Sequence, residues 1–284
     1  KGITSMYKIL EKKVLNPTVV SITVDAPFVA KRAKAGQFII LRTDENGERI
    51  PFTIAGADPE KGTVTVIYQI VGAGTRQLAA LEEGDSLHDF AGPLGKPSEI
   101  EGENVAIIGG GVGCAIAYPT AKAFHEAGKN VTSIVGFRNK DLVILEDEFK
   151  EVSDNYYLMS DDGTAGEKGL VTNKLEELIA SGQKFDKVIA IGPLIMMKFV
   201  CQLTKKYDIP TIVSMNPIMI DGTGMCGGCR LMVDGKMQFA CVDGPDFDGH
   251  LVDFDAAMSR NRAYNGFEKH RYEEACNLLN KGAE

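Results

Sequence analysis

The chain has 284 residues, 44% hydrophobic and 25% charged, a balance expected of a soluble globular protein with room for two ordinary domains and a small appendage. Its net charge of −8 argues against nucleic acid as a partner, since phosphate binding calls for clustered Lys and Arg. No apolar run approaches the length that spans a bilayer and no signal peptide opens the chain; no membrane contact and a cytoplasmic location are expected, with residues 1–5 left out of the fold.

In chain order, short strands come first. Val19, Ile22 and Val24 precede Pro27, Phe38 to Leu41 follow Gly36, and Val64 to Tyr68 follow Gly62. β-Branched runs separated by turn residues predict a small antiparallel barrel over residues 6–101, interrupted by a helix from Thr75 to Glu82. After Gly102 the character changes. Val105 to Ile108 reads as a buried strand, followed by glycines and a helix from Ala115 to Ala127. Strands at Val131 to Gly136, Tyr156 to Met159, Lys187 to Ile191 and Thr211 to Ser214 then alternate with helical stretches. That alternation predicts a doubly wound parallel α/β domain over residues 102–214. Residues 215–250 break into Gly-rich turns, and residues 251–284 form a polar helical tail to which no chemistry is assigned.

Six cysteines divide into two sets. Cys114, Cys201 and Cys276 lie in apolar or helical surroundings and read as small buried side chains. Cys226, Cys229 and Cys241 fall within sixteen residues, and clustered cysteines without a leader point to metal rather than to disulfides. Counting from Asp221, the pattern is D-x4-C-x2-C-x11-C, the plant-type [2Fe–2S] spacing with aspartate in the first cysteine's place. Gly222, Gly224, Gly227 and Gly228 let the backbone wrap such a cluster. The expected ligands are Asp221, Cys226, Cys229 and Cys241; Asp243 or a water competes with Asp221. Zinc, or a metal-free thiol loop, also remains open, although structural zinc sites usually carry two CxxC knuckles and one is present here.

Two glycine-rich turns bear on nucleotides. Gly109 to Gly113 follows a buried strand and opens a helix, where a dinucleotide pyrophosphate can approach the backbone. Arg49, with Gly72, Gly74 and the helix they precede, could hold a second pyrophosphate or simply shape a turn.

The order of these parts, barrel with Arg49…Pro51-Phe52-Thr53, glycine-rich helix start, nucleotide fold and cluster loop, resembles the ferredoxin–NADP⁺ reductase superfamily over nearly the whole chain. Within it the chain is similar to the subgroup with a C-terminal [2Fe–2S] loop. Asp221 and Glu48 to Thr53 bring it nearest the small subunits of NADH-dependent reduced ferredoxin:NADP⁺ oxidoreductases, as do Asp161-Asp162-Gly163, Lys168 to Thr172 and Gly192 to Met197. The electron-transfer subunits of NAD-dependent dihydroorotate dehydrogenase are the alternative, with a cysteine in place of Asp221 expected there. An iron–sulfur redox sensor without turnover is a third reading.

The resemblance implies a β-barrel FAD domain, a nucleotide-binding α/β domain for NAD(H) and a small Gly/Cys-rich iron–sulfur subdomain. It implies that Pro51, Phe52, Thr53 and Ile54 line the isoalloxazine. Ile67, Tyr68 and Ile70 would border the ribityl and adenine parts, and Gly72, Gly74 and Thr75 would take the FAD pyrophosphate. Gly110, Gly111 and Gly113, helped by Asp162, Gly192 and Pro193, would face the nicotinamide nucleotide. It further implies hydride transfer between cofactors without a catalytic dyad, electron bifurcation, and a larger glutamate-synthase-like partner with its own flavin and iron–sulfur clusters. The superfamily's R-x-Y-[ST] pattern is broken here, with Ile50 at the arginine's place, Arg49 one residue earlier and Phe52 without a hydroxyl. The choice of NAD over NADP stays open, since Arg138 after the second nucleotide strand could meet a 2′-phosphate or only solvent. An apolar stretch from Asn216 to Met225, with Met215, Met219 and Met225, is the expected docking surface or part of the core.

Overall fold

The structure, a computed structural model, describes residues 7–281, with side chains as far as Glu273. Residues 1–5 and the Cys276 side chain, both considered above, lie outside the described parts.

The first half is a single curled sheet. Its elements are β1 (Tyr7–Asn16), β2 (Val19–Asp25), α1 (Pro27–Ala30), β3 (Phe38–Arg42), β4 (Ile50–Asp58), β5 (Thr63–Gln69), α2 (Ala73–Ala79), β6 (Ser86–Leu87) and β7 (Asp89–Leu94). The strands are antiparallel in the order β6-β1-β2-β5-β4-β3-β7. Only His88 separates β6 from β7, so the two edges of the sheet are drawn together and the barrel nearly closes. Period-two alternation decides what faces inward. Ile22, Val24, Ile39, Leu41, Val66 and Tyr68 fill the interior, while Phe38 and Ile40 point outward into a core shared with the second half.

The helix α2 begins two residues before its predicted start and ends three residues early. The Thr75 hydroxyl accepts the amides of Val71 and Gly72, each at 3.0 Å, which fixes the turn ahead of it. The Lys12 ammonium then takes the carbonyls of Ala79 and Leu81 at 2.9 and 2.7 Å, closing the helix where its carbonyls lack partners.

The second half runs β8 (Asn104–Gly110), α3 (Gly113–Glu126), β9 (Asn130–Phe137), α4 (Glu146–Glu151), β10 (Asn155–Ser160), β11 (Glu167–Lys168), α5 (Val171–Ala180), β12 (Lys187–Ile191), α6 (Leu194–Lys205) and β13 (Thr211–Ser214). Beyond these come β14 (Arg230–Val233), β15 (Lys236–Phe239), β16 (Asp246–Asp248), α7 (Phe254–Asn261) and α8 (Asn265–Lys281). The large sheet has the order β11-β10-β9-β8-β12-β13-β16 and is parallel except for β16. From β8 the chain first builds outward through β9, then returns to add β12 on the other side. The strand order therefore reverses beside β8, and α/β sheets bind ligands at the carboxyl ends of such a point. Val105 to Ile108 are wholly buried, as a strand covered by helices on both faces requires.

The halves are joined through the cysteine-bearing stretch. β16 pairs with β13, the Lys96 amide donates to the Gly244 carbonyl at 2.7 Å, and the Ser98 hydroxyl donates to Asp246 at 2.5 Å. Among the described residues no helix is long and apolar enough to cross a membrane.

Candidate functional site

A cleft of about 870 Å³ opens where β8 and β12 end. Its floor is Gly110, Gly111 and Gly113 from the β8–α3 turn, with Gly192 and Pro193 from the β12–α6 turn. The barrel contributes Thr18, Val19 and Gln69, and α7 and the start of α8 contribute Met258, Asn261, Arg262 and Asn265. Both halves and the tail therefore share one cavity.

The three glycines have different jobs. Gly111 has φ +54°, and a Cβ built there would meet nothing within 4 Å, so it is the position open to a ligand. A Cβ on Gly113 would stand 2.6 Å from Gly192 Cα and from the Ile191 carbonyl oxygen. One on Gly110 would strike Met196 and stand 3.1 Å from Pro193 Cδ. Gly110 and Gly113 thus permit α3 and the β12–α6 turn to approach, and hold Gly111 at the helix N-terminus, where a phosphate meets free amides.

Asp162 is engaged within its own loop. Its carboxylate accepts the Thr164 amide at 2.9 Å and the Thr164 hydroxyl at 2.7 Å, and that hydroxyl first of all holds the group below the usual carboxylate range. Asp162 is absent from the cleft lining, whereas its neighbour Asp161 lines it, as does Arg138.

The expected flavin residues sort by strand alternation. In β4, Pro51 lies opposite Ile40 and Thr53 opposite Phe38, so these two share the outward face that looks to the second half. Phe52 and Ile54 face the barrel core, Phe52 with its ring 5.4 Å from that of Tyr68. In β5, Ile67 packs outward against the nucleotide half and Tyr68 is 1% exposed inside the barrel; Ile70, just past the strand, also packs on the barrel core. Successive side chains of a strand point to opposite faces, so those of a four-residue run divide between the two. The side chains of Ile54 and Tyr68 are buried in the barrel and those of Phe52 and Ile70 are half-buried against it, while Pro51, Thr53 and Ile67 face the second half.

At α2 the Thr75 hydroxyl is occupied by Val71 and Gly72, and it shapes the turn instead of reaching outward. A Cβ on Gly74 would stand 2.5 Å from Ile50 Cδ1 and 2.7 Å from Glu48 Oε2, whereas Gly72 faces open space. Arg49 does not turn toward α2. Its Nε donates to the Ile220 carbonyl at 2.6 Å, and its Nη1 lies 3.7 Å from Asp89.

Ile220 opens the cysteine loop. Asp221 accepts the Thr223 amide on one oxygen and the Cys226 amide on the other, both at 2.8 Å, which lowers its pKa. Cys229 and Cys241 are buried with their sulfurs 3.2 Å apart, and Cys226 is exposed. Burial first, and then the facing Cys229, push the Cys241 thiol up to about 12. The Gly228 amide donates to Cys226 Sγ at 3.4 Å. Asp243, the competing carboxylate, accepts the Phe239 amide at 2.7 Å and ends the β14–β15 hairpin.

Among the described residues no three His, Cys, Asp or Glu side chains converge as one ion would require. The donors instead stand as a pair of close thiols and a separate Cys226–Asp221 end. That division fits a cluster of two irons and sulfide, which takes its ligands at two ends, better than one tetrahedral zinc. Gly222 at φ +78° seats the loop on the barrel, since a Cβ there would stand 2.7 Å from Leu94 Cδ1 and 2.9 Å from Ile40 Cδ1. The residues present therefore fit an iron–sulfur cluster.

Comparison with known proteins agrees. Residues 216–253 match the iron–sulfur cluster binding domain of dihydroorotate dehydrogenase B, and residues 107–202 match the oxidoreductase NAD-binding domain. The chain is 47% identical to a Thermotoga maritima protein named as a homolog of the dihydroorotate dehydrogenase B (NAD⁺) electron transfer subunit, covering 96% of both chains. It is 36% identical to a probable electron transfer subunit of the same enzyme from Methanocaldococcus jannaschii, covering 84% of this chain and 87% of that one. Among solved structures, that of an NADH-dependent reduced ferredoxin–NADP oxidoreductase, described for flavin-based electron bifurcation, superposes with a TM-score of 0.89 at 45% identity, covering 96% of this chain and 99% of that one. The cleft, the cysteine loop and these matches together make the chain an oxidoreductase, and it belongs to the family of NAD-dependent electron transfer subunits that join a ferredoxin–NADP reductase-like fold to an iron–sulfur binding domain.

Proposed function

We propose that this chain is the NAD(H)-facing subunit of an electron-bifurcating NADH-dependent reduced ferredoxin:NADP⁺ oxidoreductase, carrying FAD and one [2Fe–2S] cluster. The observation that carries the reading is one of arrangement. Gly222 seats the cysteine loop on Ile40, and Ile40 is the cross-strand neighbour of Pro51 on the outward face of β4. A flavin on that face would adjoin the cluster loop on one side and the nucleotide cleft on the other.

When bound, the cofactors supply the chemistry: a hydride from the nicotinamide, two electrons held by the isoalloxazine, and single electrons carried by the cluster. The chain's own residues bind and orient. Pro51 and Thr53 present the face of β4, with the Thr53 hydroxyl available to a ring nitrogen. Ile67 and the backbone at Gly72 continue that surface. Gly111 opens the α3 N-terminus to a pyrophosphate, Gly192 and Pro193 shape the opposite wall, and Asp161 takes the part expected of Asp162. Asp221, Cys226, Cys229 and Cys241 hold the cluster. No acid–base pair is required, since a hydride passes without a separate proton.

A larger partner subunit would receive the electrons. Apolar side chains of the loop are exposed: Ile220 is 50% and Met225 89% accessible. Met215 and Met219 are buried in the core, so of the three methionines only Met225 is available to a partner.

The name shared by the curated relatives favours a second reading, electron transfer to a dihydroorotate dehydrogenase subunit. Asp221 speaks for the first, because it stands where a fourth cysteine would be expected in the second.

The test is anaerobic: purify the chain, count FAD and iron, and record EPR spectra after adding NADH. About one FAD and two irons per chain, with a reduced-cluster signal absent from Cys226→Ser, are expected. Zinc in place of iron, or no flavin, would overturn the proposal.

A further inference from the structure

Two arginines grip the segment between Cys226 and Cys229. Arg230 Nη1 donates to the Gly227 carbonyl at 3.1 Å. Arg260 Nη2, reaching from the last turn of α7, donates to the Gly228 carbonyl at 3.1 Å. Among the described residues neither guanidinium enters an ion pair, in contrast to Arg49, which shares its charge with Asp89.

The carbonyl that Arg230 takes and the amide that faces Cys226 Sγ belong to the same peptide unit, Gly227–Gly228. A cation on the oxygen of a peptide polarises its N–H, and hydrogen bonds in such a chain strengthen one another. The next peptide, Gly228–Cys229, carries Arg260 in the same way. Both charges therefore act on the short loop that joins two sulfurs, one of them through an amide already directed at sulfur.

We infer that Arg230 and Arg260 are positioning residues that set the reduction potential of the cluster held by this loop, raising it by stabilising negative charge on the Cys226–Cys229 side. The inference rests on reading the loop as a cluster ligand loop. Reduction adds one electron, from the flavin in the proposed function and from dithionite in the experiment below; no bond forms or breaks, and the added negative charge falls on the cluster and its sulfurs. Hydrogen bonds to those sulfurs and local net charge are the levers by which a protein moves such a potential. Arginine suits the task because its charge does not titrate in the working range and its planar fork holds a carbonyl in fixed geometry. Arg260 also brings the tail into the redox site, since Met258 and Asn261 of the same helix line the nucleotide cleft.

The experiment is an EPR-monitored dithionite titration of the iron-replete full chain and of four variants, Arg230→Gln, Arg260→Gln, Arg230→Lys and Arg260→Lys. Each glutamine variant is expected to need a lower potential, its reduced-to-oxidised ratio at the wild-type midpoint falling about three- to tenfold, a tenfold change being about 59 mV for one electron. Each lysine variant keeps the charge and is expected within about twofold of wild type. Iron-replete glutamine variants that titrate with the wild type would overturn the inference. If a glutamine variant loses iron, the lysine variant decides: retention of iron and midpoint supports the inference, and a reduced-to-oxidised ratio about tenfold lower at the wild-type midpoint despite the retained charge overturns it. A wild-type chain without iron would instead overturn the functional reading, before any variant is compared.

Discussion

At the scale of single residues, the most informative group outside the site is Asp246, at the seam between the halves. Its carboxylate is enclosed where β16 joins β13, and it accepts the Ser98 hydroxyl from the barrel side. Enclosure raises its pKa, more than the Ser98 and Ser214 hydroxyls lower it. In the unfolded chain the group titrates near 3.8, and in the fold it titrates higher. Between those two points the native state holds a proton that the unfolded state has released, so stability falls as pH rises through the window and the full cost is carried above it. Below the unfolded value both states are protonated and the cost vanishes. Asp246→Asn keeps an acceptor for Ser98 and removes the ionisation. Thermal unfolding is expected to show the variant a few degrees more stable at pH 7, with the advantage shrinking as pH approaches 3.8. A variant less stable than wild type at pH 7 would mean that the charge itself is used by the fold.

At the scale of elements, Gly113→Ala pits two effects against each other. Alanine in an α-helix ordinarily gains roughly 0.5–1 kcal/mol over glycine. Here its Cβ would lie 2.6 Å from Gly192 Cα and the Ile191 carbonyl, both backbone atoms that cannot swing aside. Overpacking of that kind costs about 1–3 kcal/mol, so it outweighs the helix gain. The expected result is a lower Tm and a higher KM for NADH, with iron content unchanged. The same element shows how legible the sequence was. A glycine run between a buried strand and a helix announced the turn, but not that two of its glycines serve close packing and one faces open space. That distinction depends on the β12–α6 turn, some eighty residues away in sequence. The parallel strands were readable because burial on both faces leaves unbroken apolar runs. The reading of residues 215–250 as Gly-rich turns contains no hairpin, yet Asp234-Gly235, with φ +50° and +68°, makes the two-residue turn that joins β14 to β15. Strand alternation divides the side chains of Pro51 to Ile54 between two faces, a division that a consecutive motif does not display.

At the scale of the whole molecule, the polar tail has structural work that its composition did not reveal. Helix α7 packs on α6 and β14 and holds Gly228 through Arg260. Helix α8 then returns to the barrel and packs on α2. There the Arg76 guanidinium lies 5.8 Å from the centroid of the Tyr272 ring and donates to its hydroxyl at 3.4 Å. A cation over an aromatic face contributes about 0.5–1 kcal/mol at a partly exposed site, so the pair alone does not hold the helix; the apposition of α2 and α8 supplies the rest. On the proposal that the glycine turn opening α2 takes the flavin pyrophosphate, loss of α8 should be felt at the flavin before the cluster. A chain ending after Ala263 keeps α7 and Arg260 and lacks α8. It is expected to retain its iron, to bind FAD more weakly and to unfold at a lower temperature. Tyr272→Ala should show the same order of effects on a smaller scale. The flavin-to-protein and iron-to-protein ratios of the purified chains separate the outcomes. Joint loss of flavin and iron would mean that the tail stabilises the molecule as one unit, whereas loss of flavin alone would assign α8 to the barrel and α7 to the cluster loop.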